Sequence, residues 1–175
     1  MVEPEEVKQR CEDKAFLLEV VQTQPLLLEW ASDELKNDKE VVLEAVSKDG
    51  GALEFSSLEL KDDKDVVLAA EKQAPWTGCY VSPRLSDDKD IILTAVQQDG
   101  QILYYASSRL RDDEDVVLAA VTNKPIIYKY ASQRLRGHKE IAITALQKNK
   151  NVWGYLTEEL QQDDDIQNIL HPPEE

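Results

Sequence analysis

The chain has 175 residues, 42% hydrophobic and 31% charged, which is enough apolar material for a folded core. Its 35 acidic and 20 basic side chains give a formal net charge of -15, which disfavours a nucleic-acid partner because phosphate binding draws on clustered Lys and Arg. No apolar run is long enough for a transmembrane helix, and Cys11 and Cys79 form neither a CxxC motif nor a disulfide framework.

The opening MVEPEEVKQR has no apolar stretch of the kind a secretion signal needs. Residues 1–12 read as an N-terminal cap, 13–166 as a repeat array and 167–175 as a C-terminal tail, within a single helical repeat domain. The array shows in its period. Leu35, Leu60, Leu85, Leu110, Leu135 and Leu160 stand 25 residues apart. Three positions later come Asp38, Asp63, Asp88, Asp113 and Asp163, with His138 once in their place. One aromatic phase holds Trp30, Phe55, Tyr80, Tyr105, Tyr130 and Tyr155. A frayed copy begins near Asp13, and the last copy decays into HPPEE, as a solvent-facing end does.

Each unit predicts two helices. The first is like Asp38–Asp49, where Val42, Ala45 and Val46 share one face and Val41 widens the stripe. Asn37 with Glu40, Asp62 with Asp65, Asp87 with Asp90 and Asp112 with Asp115 have capping-box spacing, although either of two adjacent residues could be the N-cap. The second predicted helix is like Gly51–Lys61, burying Ala52, Phe55 and Leu60. Between the helices Pro25, Gly50, Pro75, Gly100 and Pro125 alternate, then Lys150. Gly suits a left-handed residue after a helix and Pro suits a first turn, so the alternation hints at a period of 50. Such short helices persist only when stacked. The fold class is therefore all-α, an α-solenoid of about six 25-residue helix-pair units with frayed ends, a rod roughly 60 Å long.

Residues common to every unit maintain stacking, and variable positions are where partner specificity is expected. The aromatic column is expected in the core, whereas Trp76, Tyr104, Tyr128 and Trp153 deviate and are expected to be partly exposed. APWTGCYVSPRL is the odd unit: Gly78 stands where Leu53 and Leu103 stand, and Pro83 should bend or shorten the second helix. It reads either as repeat decay or as a groove or hinge. Charge is uneven: residues 124–150 hold Lys124, Lys129, Arg134, Arg136, Lys139, Lys148 and Lys150 against Glu140 alone. Arg84, Arg109 and Arg134 share a phase, which fits salt bridges to the acids of adjacent units or a ridge for an acidic peptide. Salt-sensitive self-association through the acidic N-terminal half is a further expectation. Partner-binding candidates are Trp76, Arg84, Tyr104, Arg109, Tyr128, Arg134 and Arg136.

No HExxH, phosphate loop or Ser-His-Asp signature is present, and the histidines are His138 and His171. The DDKD and DDED runs recur at helix starts, where capping explains them, and they lack the calcium-loop pattern. No catalytic residue, cofactor or metal is expected.

The stretch LKNDKEVVLEAVSKDGGALEFSSLELKDDKDVVLAA resembles a large repeat family catalogued only as a domain of unknown function. Its hallmark, L-x-x-D-x-x-[VI]-[VI]-L-x-A-V, fits Leu35–Val46, Leu85–Val96 and Leu110–Val121. The resemblance covers about residues 13–166 and implies modules of two 25-residue units. It also implies an origin among intracellular bacteria or single-celled eukaryotes, some of whose modules occur in proteins delivered into host cells. It supplies no catalytic residues. A protein-interaction scaffold is the leading expectation. The alternatives are an effector acting on a host protein through an undescribed site, or a structural subunit of a larger assembly. A cytoplasmic location, or a host cytoplasm reached by non-classical export, accompanies these readings.

Overall fold

The computed structural model describes residues 2–171. The chain is an all-α repeat solenoid, and no strand occurs among the described residues. It divides into two compact units, Met1–Ser86 and Asp87–Glu175. The first unit contains α1 (Pro4–Gln9), α2 (Lys14–Val21), α3 (Asp33–Lys36), α4 (Lys39–Lys48) and α5 (Lys64–Gln73). The second contains α6 (Lys89–Gln98), α7 (Glu114–Asn123), α8 (Gln133–Arg136), α9 (Lys139–Lys148), α10 (Glu158–Gln161) and α11 (Asp164–Leu170). The predicted tail thus begins within α11. Among the described residues no helix is long and apolar enough to cross a membrane.

The first helix of each repeat forms where the apolar spacing places it. In α4 the residues Val41, Val42, Ala45 and Val46 are all fully buried. The N-cap is the second of the two adjacent candidates. Asp38 accepts from the backbone N–H groups of Glu40 (3.0 Å) and Val41 (3.2 Å), and Asp63, Asp88, Asp113 and Asp163 do the same in their repeats. Each such cap is worth about 1 kcal/mol. His138 makes no side-chain cap. The residue before the cap, Asn37 or its equivalent, is not part of a capping box but belongs to a contact between repeats, described below.

The second predicted helix is two pieces. Gly50–Phe55 is a 3-10 helix, Ser56 is extended, and Leu60–Asp62 is a separate turn. The break has a cause. The Ser57 N–H donates to the Lys36 carbonyl of the preceding repeat at 3.0 Å, so it cannot serve a continuous helix. Ser82 to Lys61 and Ser132 to Arg111 repeat the bond. Pro83 consequently bends nothing. It follows the capping Ser82 in the first turn of the short second piece, where its missing N–H has no partner to lose.

Gly50 and Gly100 serve close packing, not a left-handed turn, since no glycine among the described residues has a positive φ. A Cβ on Gly50 would lie 2.3 Å from the Ala70 carbonyl oxygen of α5, and one on Gly100 would lie 2.3 Å from that of Ala120 in α7. The alternate phase, with Pro25, Pro75 and Pro125, opens each 3-10 helix with proline at its start.

The aromatic column is not core. Trp30, Phe55, Tyr80, Tyr105, Tyr130 and Tyr155 are all half-buried, so one side of each ring covers the repeat and the other meets solvent. Tyr128 departs in the opposite direction. It stands in the phase of Leu28, Leu53 and Leu103, and like them it is fully buried, its hydroxyl donating to the Arg136 carbonyl at 2.6 Å. Burial pushes its phenol pKa up.

Candidate functional site

Two ladders of polar contacts join successive repeats within each unit. In the first, a lysine reaches the next repeat's capping Asp and the acid two residues beyond it. Lys39 contacts Asp63 at 2.8 Å and Asp65 at 2.7 Å, and Lys14, Lys89 and Lys139 make equivalent pairs. Lys14 leads the causes that hold the Asp38 carboxyl below its usual range.

The second ladder is built from rungs. A serine hydroxyl donates back to the residue preceding the earlier cap, while also accepting from the backbone N–H of the leucine three positions on. Ser82 does this to Asp62, Ser107 to Asp87 and Ser132 to Asp112. The arginine two positions after each serine closes the rung. Arg84 Nε donates to Asp62 at 2.8 Å, Arg109 Nε to Asp87 at 3.0 Å and Arg134 Nε to Asp112 at 3.0 Å. Each guanidinium also donates to the backbone carbonyl of the same Asp. Arg134 adds Glu114 at 2.9 Å. Arg84 and Ser82 hold the Asp62 carboxyl below its ordinary range. These arginines stay more than half exposed, so solvent screens each pair and the rungs position the repeats more than they stabilise them.

The rung at Asn37 has different chemistry. Ser57 donates to the Asn37 amide oxygen at 2.5 Å, and the Asn37 amide nitrogen donates to Glu59 at 3.1 Å. An amide and a carboxylate here replace the carboxylate and guanidinium.

The remaining candidates lie on or near the 3-10 segments. In the first unit Trp76 is 46% exposed, packs edge-on to Tyr80 with centroids 6.1 Å apart, and lies over Gly51. The Tyr80 hydroxyl donates to Glu54 of the preceding repeat at 2.9 Å, which pushes its pKa up to about 12. In the second unit Tyr104 is 50% exposed and packs edge-on to Tyr105 and Tyr130, with centroids at 4.9 and 4.8 Å. Ile126, Ile127, Lys124 and Lys129 complete an open cleft of about 340 Å³ around these rings. Lys129 sits 4.8 Å from the Tyr130 ring centre, a cation–π distance. Arg136, by contrast, is partly buried with an unpaired Nε.

One buried acid lies outside the residues that the sequence patterns single out. Glu71 ends the apolar face of α5, in the phase of Val46, Val96 and Val121, and only 4% of it is exposed. Its Oε2 has no hydrogen-bond partner, and burial pushes its pKa up to about 7. Thr77, also buried, stands where Ala52 and Ile102 stand and satisfies its hydroxyl on the Ala74 carbonyl at 2.8 Å. Comparing the repeats column by column reveals both substitutions. Among the described residues no group of three or more His, Cys, Asp or Glu side chains is arranged to hold a metal ion.

The family model described as a domain of unknown function, DUF4116, matches residues 13–61, 39–86 and 88–136. The first two matches are offset by one 25-residue repeat and the last two by about two, so the family module spans two repeats and fits in either phase. No curated protein and no solved structure matches the chain.

Proposed function

Taking as premise that the chain belongs to the DUF4116 family, we propose that it is a non-catalytic scaffold that binds a protein or peptide partner. The observation that carries this reading is how the surface is divided. The recurring charged residues bond to neighbouring repeats, whereas large apolar side chains at variable positions stay open to solvent: Trp76 at 46% and Tyr104 at 50% exposure. Aromatic side chains of this kind are the usual energetic anchors of protein interfaces. The Tyr104 cleft adds two lysines and no carboxylate among its lining residues, which suits a partner with acidic groups beside an apolar one.

Affinity capture with the purified chain, its Trp76→Ala and Tyr104→Ala variants, and an Arg109→Glu/Arg134→Glu double variant tests this. Capture that survives the arginine changes but falls with an aromatic change is the expected result. Absence of any captured protein at low salt, with the chain folded, overturns the scaffold reading.

A further inference from the structure

The rung ladder of the second unit has one vacant position. Its place at residue 137, held by Asn37, Asp62, Asp87 and Asp112 in other repeats, is occupied by Gly137. The rung serine is Thr157, and the closing arginine is Glu159. Around them lies an open cleft of about 800 Å³, which Arg134, Arg136 and Tyr155 also line. We propose that this vacant rung is a binding site for a primary carboxamide, presented as an Asn or Gln side chain by a protein partner. The identity of the ligand as part of a protein rests on the scaffold reading; the chemistry of the site does not.

Backbone conformation does not demand glycine here. Gly137 has φ -99° and ψ 3°, and Asn37 in the equivalent place has φ -103° and ψ 4°. Nor does space demand it. A Cβ on Gly137 would meet the Arg134 carbonyl oxygen and Thr157 Cγ2 at 3.4 Å and Thr157 Oγ1 at 3.6 Å, ordinary contact distances. This differs from Gly50 and Gly100, whose missing side chains make room for backbone.

The vacancy leaves a polar group without its partner. Thr157 Oγ1 is buried and unbonded. Ser57, Ser82, Ser107 and Ser132 each donate to a rung acceptor and cap the leucine N–H three positions on; Thr157 does neither. A buried hydroxyl without a partner costs free energy that a ligand acceptor would recover. Arg136 Nε is also unpaired, but so is the equivalent Arg111 Nε, so it does not distinguish this rung.

The group opposite the hydroxyl selects the ligand. Rungs closed by Arg84, Arg109 and Arg134 hold a carboxylate. The rung closed by Glu59 holds an amide, which accepts from Ser57 through oxygen and donates to Glu59 through nitrogen. The vacant rung carries Glu159, with Glu158 beside it. A carboxamide would reproduce the Asn37 arrangement, its oxygen accepting from Thr157 and its NH2 donating to Glu159. A carboxylate would meet the like charges of Glu158 and Glu159; of the two arginines that also line the cleft, Arg134 is already paired with Asp112 and Glu114, which leaves Arg136 as the one counter-charge that the aspartate probe tests.

The test is an amide NMR titration of the full chain with N-acetyl-asparagine methylamide, beside the corresponding aspartate and alanine compounds. The expected result is a site-specific response of Gly137, Thr157 and Glu159 to the asparagine probe. It should be about five-fold stronger than to the alanine probe, the ratio that one net hydrogen bond sustains. Gly137→Asn, which supplies the amide from within the chain, should abolish that response and raise the unfolding midpoint above that of Gly137→Ala. Equal responses to all three probes would mean that the cleft does not read the side chain, no response would mean that it holds only solvent, and either would overturn the proposal. A stronger response to the aspartate probe would overturn the amide assignment. If the asparagine probe binds but affinity capture yields no partner, the scaffold reading fails and the site stands; if capture succeeds and no probe discriminates, the site fails alone.

Discussion

The repeat from Asp38 to Asp62 and its successor from Asp63 to Asp87 carry the same helices over different cores. Val46 becomes Glu71, Ala52 becomes Thr77, Leu53 becomes Gly78 and Gly50 becomes Pro75. Yet Asp38 and Asp63 cap α4 and α5 with matching distances, and Ser57 and Ser82 make the same backbone bond to the repeat before. The repeat backbone is therefore specified by its caps and inter-repeat hydrogen bonds as well as by its apolar face. The Val-to-Glu exchange keeps side-chain volume but not polarity, whereas the Leu-to-Gly exchange removes a whole apolar side chain that the Ala-to-Thr exchange only partly replaces, so the core of the second repeat is the weaker of the two.

The largest expected effect breaks the comparison at Glu71. Its folded pKa of about 7 lies above the ordinary 4.5, so the fold favours the protonated form. Below pH 4.5 the group is protonated in both states and has no pH-dependent effect; as pH rises towards 7 stability falls, and above 7 the loss is complete. Glu71→Gln should therefore stabilise the chain by about 3 kcal/mol at pH 8 and by almost nothing near pH 4, read by denaturant unfolding at both values. The ladder carboxylates run the other way. Asp38 and Asp62 have lowered pKa values, so their stabilisation is present above pH 3.8 and is lost as pH falls through their folded values.

Next in size is the Gly50 contact. Gly50→Ala drives a Cβ against the Ala70 carbonyl and should cost roughly 1–3 kcal/mol. Pro75, its counterpart, already carries a Cβ, so Pro75→Ala should show no such clash penalty in the same melts. Asp38→Ala and Asp63→Ala sharpen the comparison from the shared side. Each should cost about 1 kcal/mol, equally in the two repeats, because the caps are indifferent to the core beneath them. Arg84→Ala should have the smallest effect of these variants and shrink further in high salt, since its pair with Asp62 is largely exposed.

Much of this fold is legible in one sequence because the chain supplies its own comparisons. The 25-residue period, the first helix of each repeat and the presence of acid caps follow directly from Leu35, Asp38 and Val42 recurring. The second helix is misread because Ser57 looks helix-compatible locally, and only the Lys36 carbonyl of another repeat claims its N–H. The aromatic phase is misread for a related reason. Recurrence marks Tyr80 as structural, but its hydroxyl bond to Glu54 keeps the ring at the surface, a compromise that hydrophobicity alone does not encode. Tyr128 departs the opposite way, since its type suggests a surface ring whereas its column, shared with Leu53 and Leu103, lies in the core. At the rungs the shared phase of Arg84, Arg109 and Arg134 is legible in the sequence, but the part played by the serine between each arginine and its Asp is not, because a serine hydroxyl carries no charge to match.

The most direct measurement is hydrogen exchange on the chain with and without its captured partner. The account predicts new protection along the 3-10 segments, foremost at residues 100–105 and 125–130 around Tyr104, with the rungs at Arg84 and Arg109 unchanged. Protection confined to the rungs, with the tyrosine segments exchanging as they do in the free chain, would contradict it.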